Sequence, residues 1–245
     1  LRPPFHWESG LNVERTSRAL RVLRASRLAL HFLRGTVTVT FVYPFLADDS
    51  RLRLKQRWSR QVLDILGIRL AADLSAIEPG SLIVANHISW VDVFVLNAAR
   101  PVAFVSKSEV RRWPLLGWLA ARTDTVFLRR GSRGHAKIVN GEINTLLNAG
   151  KDVALFPEGT TTDGSHLLGF HAALLQPAVE TGRPIQPIAL CYEEGDGLRS
   201  LAAAYVGNTT LMESLLTILS VPRITARTFV LPAIIPSGCD RRELA

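Results

Sequence analysis

The sequence contains few cysteines: only Cys191 and Cys239 occur among 245 residues, and they lie far apart. Zinc sites built on cysteine and disulfide-rich folds need several closely spaced cysteines, so both classes are excluded. The G-x-S-x-G segment typical of serine hydrolases is also absent, and neither cysteine lies in a pattern typical of a nucleophile. These absences favour a reducing compartment and a reaction in which the protein supplies no such nucleophile.

Acidic residues are missing from residues 15–47, although arginine recurs there. The arginines of this segment are Arg15, Arg18, Arg21, Arg24, Arg27 and Arg34. The whole chain has 29 Lys and Arg against 21 Asp and Glu, which gives a net charge of +8. This surplus favours an anionic partner, namely a phosphorylated substrate, a membrane surface or nucleic acid.

Charge is absent altogether from residues 35–47, "GTVTVTFVYPFLA". The run is too short for a full membrane span, and a longer run from Leu28 is interrupted by His31 and Arg34. We therefore expect an N-terminal helical hairpin seated in the membrane interface, with arginines reaching anionic head groups. An ordinary buried helix is the alternative, as is a strand, because "TVTVTF" alternates.

The layout of the N-terminal region predicts a membrane-associated protein on the cytoplasmic face. Basic residues precede the apolar run, and no signal-peptide pattern is evident. We expect residues 1–50 to form the membrane-associating segment and residues 51–245 to form the catalytic domain.

Strand and helix patterns alternate after Asp48. Strands are predicted for "GIRL", "SLIVA", "PVAFVSK", "TDTVFLRR", "DVALFPEGT" and "PIQPIALCY", and helices for "SRLRLKQRWSRQVLDIL", Trp90 to Ala99 and "HAKIVNGEINTLLN". Helical spacing in "GSHLLGFHAALL" also places His166 and His171 on a core or groove face. The pattern predicts an α/β fold with a mixed, largely parallel sheet flanked by helices.

His87 and Asp92 lie five positions apart in "SLIVANHISWVDVF". On a continuous helix they would be roughly 140° apart, and on a continuous strand they would face opposite sides of the sheet. They can meet only across a bend, which the end of a strand followed by a capped helix would supply. An imidazole held by a carboxylate is a general-base arrangement, although such a pair can also be purely structural.

Two further loops carry candidate binding groups. Arg129 and Arg130 end a predicted strand ahead of a glycine, and guanidinium groups there suit a phosphate. In "LFPEGTTTDG", backbone N–H groups and hydroxyls are candidates to hold a phosphate or an oxyanion. Glu158 would orient a donor, anchor the loop or form a salt bridge with a neighbouring arginine.

The sequence contains four motifs in this order: "NHISWVD", "VFLRR", "FPEGTT" and "PIQPIAL". Their order and spacing resemble those of the glycerolipid acyltransferase family, which includes 1-acylglycerol-3-phosphate acyltransferases. The resemblance runs from about residue 68 to residue 206. It implies a membrane-bound enzyme that moves an acyl chain from coenzyme A or acyl carrier protein to a lysolipid hydroxyl. The first acceptor that it implies is 1-acylglycerol-3-phosphate, which would give phosphatidic acid.

The resemblance also implies roles for individual residues. His87 would deprotonate the acceptor hydroxyl with support from Asp92, and Arg130 would contact the acceptor phosphate. Glu158 and Gly159 would help to bind the acceptor. We add Arg129, Thr160 and Thr161 to the predicted substrate-binding residues. No metal and no resident cofactor is expected, because the acyl thioester is a co-substrate.

The sequence departs from the family pattern at two positions. Thr161 stands where the third motif usually has arginine, and Arg129 stands where the second motif commonly has an acidic residue. The altered charge leaves lyso-ornithine lipid as an alternative acceptor, because its acyltransferases have a similar third motif. A thioesterase and a non-enzymatic basic protein bound to membrane or nucleic acid are more remote. The aromatic residues lie mostly in apolar runs, so we expect no nucleic-acid partner.

Overall fold

A computed structural model describes residues 15–129, 133–195 and 197–245. Within these ranges the helices are α1 (Arg18–Phe41), α2 (Asp48–Leu66), α3 (Asp92–Ala99), α4 (Leu116–Arg122), α5 (Arg133–Asn148), α6 (Gln176–Thr181) and α7 (Leu211–Ser220). The strands are β1 (Ile68–Ala71), β2 (Leu82–Ala85), β3 (Ala103–Lys107), β4 (Thr125–Leu128), β5 (Val153–Leu155), β6 (Ile185–Glu194), β7 (Leu198–Arg199) and β8 (Ile224–Val230).

The eight strands form one sheet with the order β1-β8-β6-β2-β5-β3-β4, and β7 pairs with β6. Neighbouring strands are parallel except where β6 meets β7 and β8. This confirms the predicted mixed, largely parallel sheet flanked by helices. The central strand β2 pairs with β5 on one side and with β6 on the other.

The sheet has an apolar core on each face. Alternate residues of β2 point to opposite faces, so Ile83 joins the core beneath α2, α3 and α7, whereas Leu82 joins the core beneath α5 and α6. Burial on both faces explains why β2 is a continuous apolar run. The strands β2 and β5 end at the same edge of the sheet, whereas β6 continues beyond them to Glu194, and the site lies at the end of β2.

The segment "TVTVTF" is helical and lies within α1. Its threonines are accommodated because the hydroxyls of Thr36, Thr38 and Thr40 each donate to the backbone carbonyl four residues earlier. One side of α1 packs against the rest of the chain, with Leu28 in the main core. In the part of the chain that the structure describes, no helix has the length and apolar character needed to cross a bilayer.

Two local expectations differ from the structure. Helix α3 begins at Asp92 rather than at Trp90, because the chain still turns between β2 and the helix. The predicted helix around His166 and His171 is absent: both residues are exposed in a loop. Gly164 has a positive φ of 79°, which breaks a helical run at that point.

Candidate active site

His87 and Asp92 meet across the turn between β2 and α3. The distance from His87 Nδ1 to Asp92 Oδ2 is 2.8 Å. His87 follows the carboxyl end of β2, and Asp92 is the first residue of α3. The bend between the two elements therefore brings these residues together although they are five positions apart. Because Nδ1 donates to the carboxylate, Nε2 is the ring nitrogen positioned to accept a proton.

Asp92 is fully buried and accepts hydrogen bonds at both oxygens. Oδ2 accepts from the backbone N–H groups of Ile88 and Ser89 at 2.8 Å and 3.0 Å, in addition to His87. Oδ1 accepts from the hydroxyl of Tyr192 at 2.6 Å. These four hydrogen bonds fix the orientation of the carboxylate at the start of α3.

The ring of His87 stacks on Phe156, which follows β5. The ring centroids are 4.0 Å apart and the planes differ by 9°. Phe156 stacks in turn on Phe104 of β3, with centroids 6.1 Å apart. The imidazole is therefore fixed by its face as well as by its hydrogen bond.

Glu158 lies behind the histidine and connects two loops. Its Oε1 accepts the backbone N–H of His87 at 2.8 Å, and its Oε2 accepts the backbone N–H of Leu168 at 2.9 Å. Glu158 is only 4% exposed. Of the three roles predicted for Glu158, these contacts match the loop anchor.

Gly159, Thr160 and Thr161 lie beside His87 on the wall of one cavity. Gly159 has a φ of 66°, so the chain turns there in a conformation that favours glycine. The hydroxyl of Thr161 donates to the carbonyl of Tyr205. The structure thus brings the third motif to the histidine, but the Thr161 hydroxyl is already bonded within the protein.

The structure describes one of the two predicted arginines, Arg129, and it is not among the residues that line this cavity. Arg129 is exposed after β4, the edge strand of the sheet, and both β3 and β5 lie between β4 and β2. Arg130 lies outside the described residues. The cation that the structure does place on the cavity wall near the second motif is Lys107, at the end of β3.

The cavity measures about 770 Å³ and extends from His87 to the N-terminal helices. Its wall is mainly apolar and aromatic. The aromatic lining residues are Phe32, Tyr43, Trp58, Trp90, Phe94, Phe104, Trp113, Phe156 and Tyr205. Buried Lys55 also lines it, and burial lowers the pKa of this lysine, whose Nζ donates to the carbonyl of Val102 at 3.0 Å.

Sequence reasoning missed Tyr192 and Asn86. Asn86 exchanges two hydrogen bonds with the backbone of Leu190, at 3.0 Å and 2.6 Å. Both contacts join the end of β2 to β6, which carries the fourth motif. The segment "PIQPIALCY" predicted the strand that carries Tyr192. The contacts of Tyr192 and Asn86 could not be predicted, because they depend on the pairing of β2 with β6.

Comparison with known proteins identifies the family. The family model described as Acyltransferase matches residues 68–191. A lyso-ornithine lipid O-acyltransferase from Pseudomonas aeruginosa is 38% identical over 195 residues, which cover 80% of this chain and 75% of that protein. A 1-acyl-sn-glycerol-3-phosphate acyltransferase from Neisseria meningitidis serogroup B is 36% identical over 199 residues, which cover 80% and 78%.

A solved structure supports the fold independently. The crystal structure of the 1-acyl-sn-glycerophosphate acyltransferase from Thermotoga maritima matches with a TM-score of 0.64 at 21% identity, covering 91% of each chain. At that identity the likeness concerns the fold. Together with the match of the family model to half of the sequence, it confirms the resemblance indicated by the four motifs: the chain belongs to the acyltransferase family.

Proposed function

We propose that this acyltransferase moves a fatty acyl chain from an acyl thioester, on coenzyme A or acyl carrier protein, to the hydroxyl of a lysolipid, with His87 as the general base. The observation that carries the proposal is the bond between His87 Nδ1 and buried Asp92, which leaves Nε2 for the acceptor. His87 also lines the apolar cavity, where an acyl chain and a hydroxyl can meet.

The reaction follows from this geometry. Nε2 takes the proton of the acceptor hydroxyl while the oxygen attacks the thioester carbonyl. The tetrahedral intermediate collapses, the C–S bond breaks, and the departing thiolate receives the proton from the imidazolium. Asp92 holds the tautomer and stabilises the imidazolium between the two transfers. Neither a metal nor a resident cofactor takes part in these steps.

The cavity supports a fatty acyl donor. Its volume and its mainly apolar, aromatic wall fit a hydrocarbon chain better than a polar metabolite. Phe94 of α3 and Phe32 of α1 line it together with His87, so a chain in the cavity would end beside the base.

The outer side of α1 supports a membrane-associated enzyme. Apolar residues are exposed there at helical spacing: Val22, Leu30, Leu33, Val37 and Phe41. Exposed Arg27 and Arg34 lie beside this stripe. An apolar stripe bordered by arginines suits a helix that lies in the interface of an anionic membrane, and its basic character favours the cytoplasmic face.

We take 1-acylglycerol-3-phosphate as the first acceptor, because the motifs and several relatives point to it. Lys107, Arg34 and Arg57 line the cavity and give its wall positive charges suited to a phosphate. Arg130 remains the proposed phosphate contact from the second motif.

Lyso-ornithine lipid is a second candidate, favoured by the charges beside the third motif. Asp163 follows Thr162, whose backbone N–H donates to the His87 carbonyl at 2.8 Å. Asp163 also lies 3.9 Å from the guanidinium of Arg199. An ornithine headgroup carries an amine and a carboxylate. Asp163 would complement the charge of the amine, and Arg199 would complement the charge of the carboxylate.

The experiment measures release of thiol from an acyl thioester with and without a lysolipid. We expect release that depends on the acceptor and yields acylated lipid. His87→Ala should lose about 10²–10⁴-fold in turnover while it stays folded. The matched control is His171→Ala, which removes an exposed histidine of a neighbouring loop. Wild-type turnover in folded His87→Ala would refute the mechanism, and thiol release without acceptor would identify a thioesterase.

A further inference from the structure

The hydrogen bonds to Asp92 are divided unequally between its two oxygens. Oδ2 receives His87 Nδ1 and the backbone N–H groups of Ile88 and Ser89. Among the described residues, Oδ1 receives its hydrogen bond from Tyr192. The torsion that rotates a carboxylate is soft, so a donor on the second oxygen determines how the group is held.

The surroundings of Tyr192 keep its hydroxyl as a hydrogen-bond donor to Asp92. The residue is 2% exposed and lies in the core beneath α2, α3 and α7. Burial and the neighbouring Asp92 carboxylate raise the pKa of Tyr192 well above its ordinary value. The phenol therefore stays protonated over the pH range in which the enzyme is assayed, and it donates to Asp92.

The position of Tyr192 relative to the site is fixed by the sheet. It lies on β6, which pairs in parallel with β2 through Leu82↔Ile185 to Ala85↔Ile188. The two bonds between Asn86 and the backbone of Leu190 extend this register to the end of β2. The phenol thus reaches Asp92 from a strand that contributes neither member of the His87–Asp92 pair.

We propose that Tyr192 is a positioning residue of the acyl transfer: by donating to Oδ1 it fixes the carboxylate of Asp92 so that Oδ2 stays on His87 Nδ1. The proposal rests on the proposed role of His87 as base. It gives the strand of the fourth motif a function, which is to hold the carboxylate that orients the base.

Tyr192→Phe tests the proposal, because it removes the hydroxyl and keeps the ring. Loss of a hydrogen bond to a charged group should lower kcat about tenfold, while the KM of each substrate changes by less than about twofold. The phenol partly offsets the negative charge of the Asp92 carboxylate. Without this hydrogen bond, the carboxylate stabilises the imidazolium more. The acid limb of the kcat profile should therefore move to higher pH.

Among the described residues, the titratable groups that contact His87 are Asp92 at the ring and Glu158 at the backbone N–H, and the substitution replaces neither residue. The matched control is Thr228→Val on the neighbouring strand β8. Thr228 has a buried hydroxyl with no hydrogen-bond partner in the described part of the chain. This variant should keep the wild-type kcat and pH profile.

A second measurement covers the case in which Tyr192→Phe does not fold. Replacing tyrosine by 3-fluorotyrosine throughout the otherwise wild-type chain makes the phenol a stronger donor, so the acid limb should move to lower pH. An unchanged limb in folded Tyr192→Phe, or in the fluorotyrosine protein, would overturn the proposal. If His87→Ala is inactive while Tyr192→Phe behaves as wild type, only the role of Tyr192 fails.

Discussion

At the scale of single residues, Glu158 shows how a predicted contact residue can be a fixed part of the framework. Both of its oxygens accept backbone N–H groups, one from the loop after β2 and one from the loop after β5. A buried carboxylate occupied in this way determines how the two loops are placed relative to each other. We therefore expect Glu158 to affect the acceptor only through His87 and the third motif.

Glu158→Gln should therefore lower both stability and turnover. The amide has one acceptor oxygen, so a backbone N–H would face the NH₂ group, at a cost of about 1–3 kcal/mol of unfolding free energy. Thermal unfolding and steady-state kinetics measure the two effects. Glu142→Gln, an exposed position of α5, is the control and should change neither. Wild-type stability with a raised acceptor KM would mean that Glu158 contacts the acceptor instead.

The residue types of the site could be predicted better than their partners. The five-residue step from His87 to Asp92 required a bend, and the structure has one with a 2.8 Å contact. Tyr192, which is 100 residues away from Asp92, gave no local signal because its contact depends on strand order. The position of Arg129 depends on strand order too: it follows β4 at the sheet edge, so its role in substrate binding stays a prediction.

At the scale of elements, α1 has two faces with different surroundings. Leu28, His31, Gly35 and Val39 are buried against the rest of the chain. The opposite face is apolar and exposed. A soluble protein rarely exposes such a stripe, so its proposed partner is the membrane interface.

Leu33→Glu together with Val37→Glu tests that face. Each side chain is at least half exposed, so the fold should persist while binding to anionic vesicles falls steeply. Co-sedimentation with phosphatidylglycerol vesicles measures the loss. The control is Ile138→Glu on α5, where an isoleucine of similar exposure lies away from α1. Equal binding by the double variant and the wild type would place the anchor elsewhere.

Elements defined by apolar runs were predictable, whereas irregular segments were not. The continuous run of β2 predicted a buried strand, because both of its faces are covered. The residues after the third motif carry helical spacing, but the backbone of Leu168 bonds Glu158 and Gly164 takes a positive φ. Tertiary contacts there override local periodicity.

At the scale of the whole molecule, the cavity is shared between the N-terminal helices and the sheet. Trp58 of α2 stacks on His31 of α1 with centroids 5.0 Å apart, and both line the cavity that reaches His87. No single segment of the sequence encodes such a wall. The sequence predicted a membrane segment and a catalytic domain as separate parts, and the structure adds that they enclose one space.

We propose that charge around this shared cavity selects the acceptor, and Thr161→Arg distinguishes the two candidates. For 1-acylglycerol-3-phosphate the new guanidinium should be tolerated or raise kcat/KM, because it restores the arginine usual in the third motif. For lyso-ornithine lipid it should lower kcat/KM, because it adds a cation near an amine and takes the hydroxyl from the Tyr205 carbonyl. Both lysolipids are assayed on the same preparation, so the ratio of the two kcat/KM values is independent of the folded fraction. A ratio that does not change would show that position 161 does not read the headgroup. Wild-type turnover confined to the ornithine lipid would overturn the first acceptor and would leave His87 and Asp92 in the same roles.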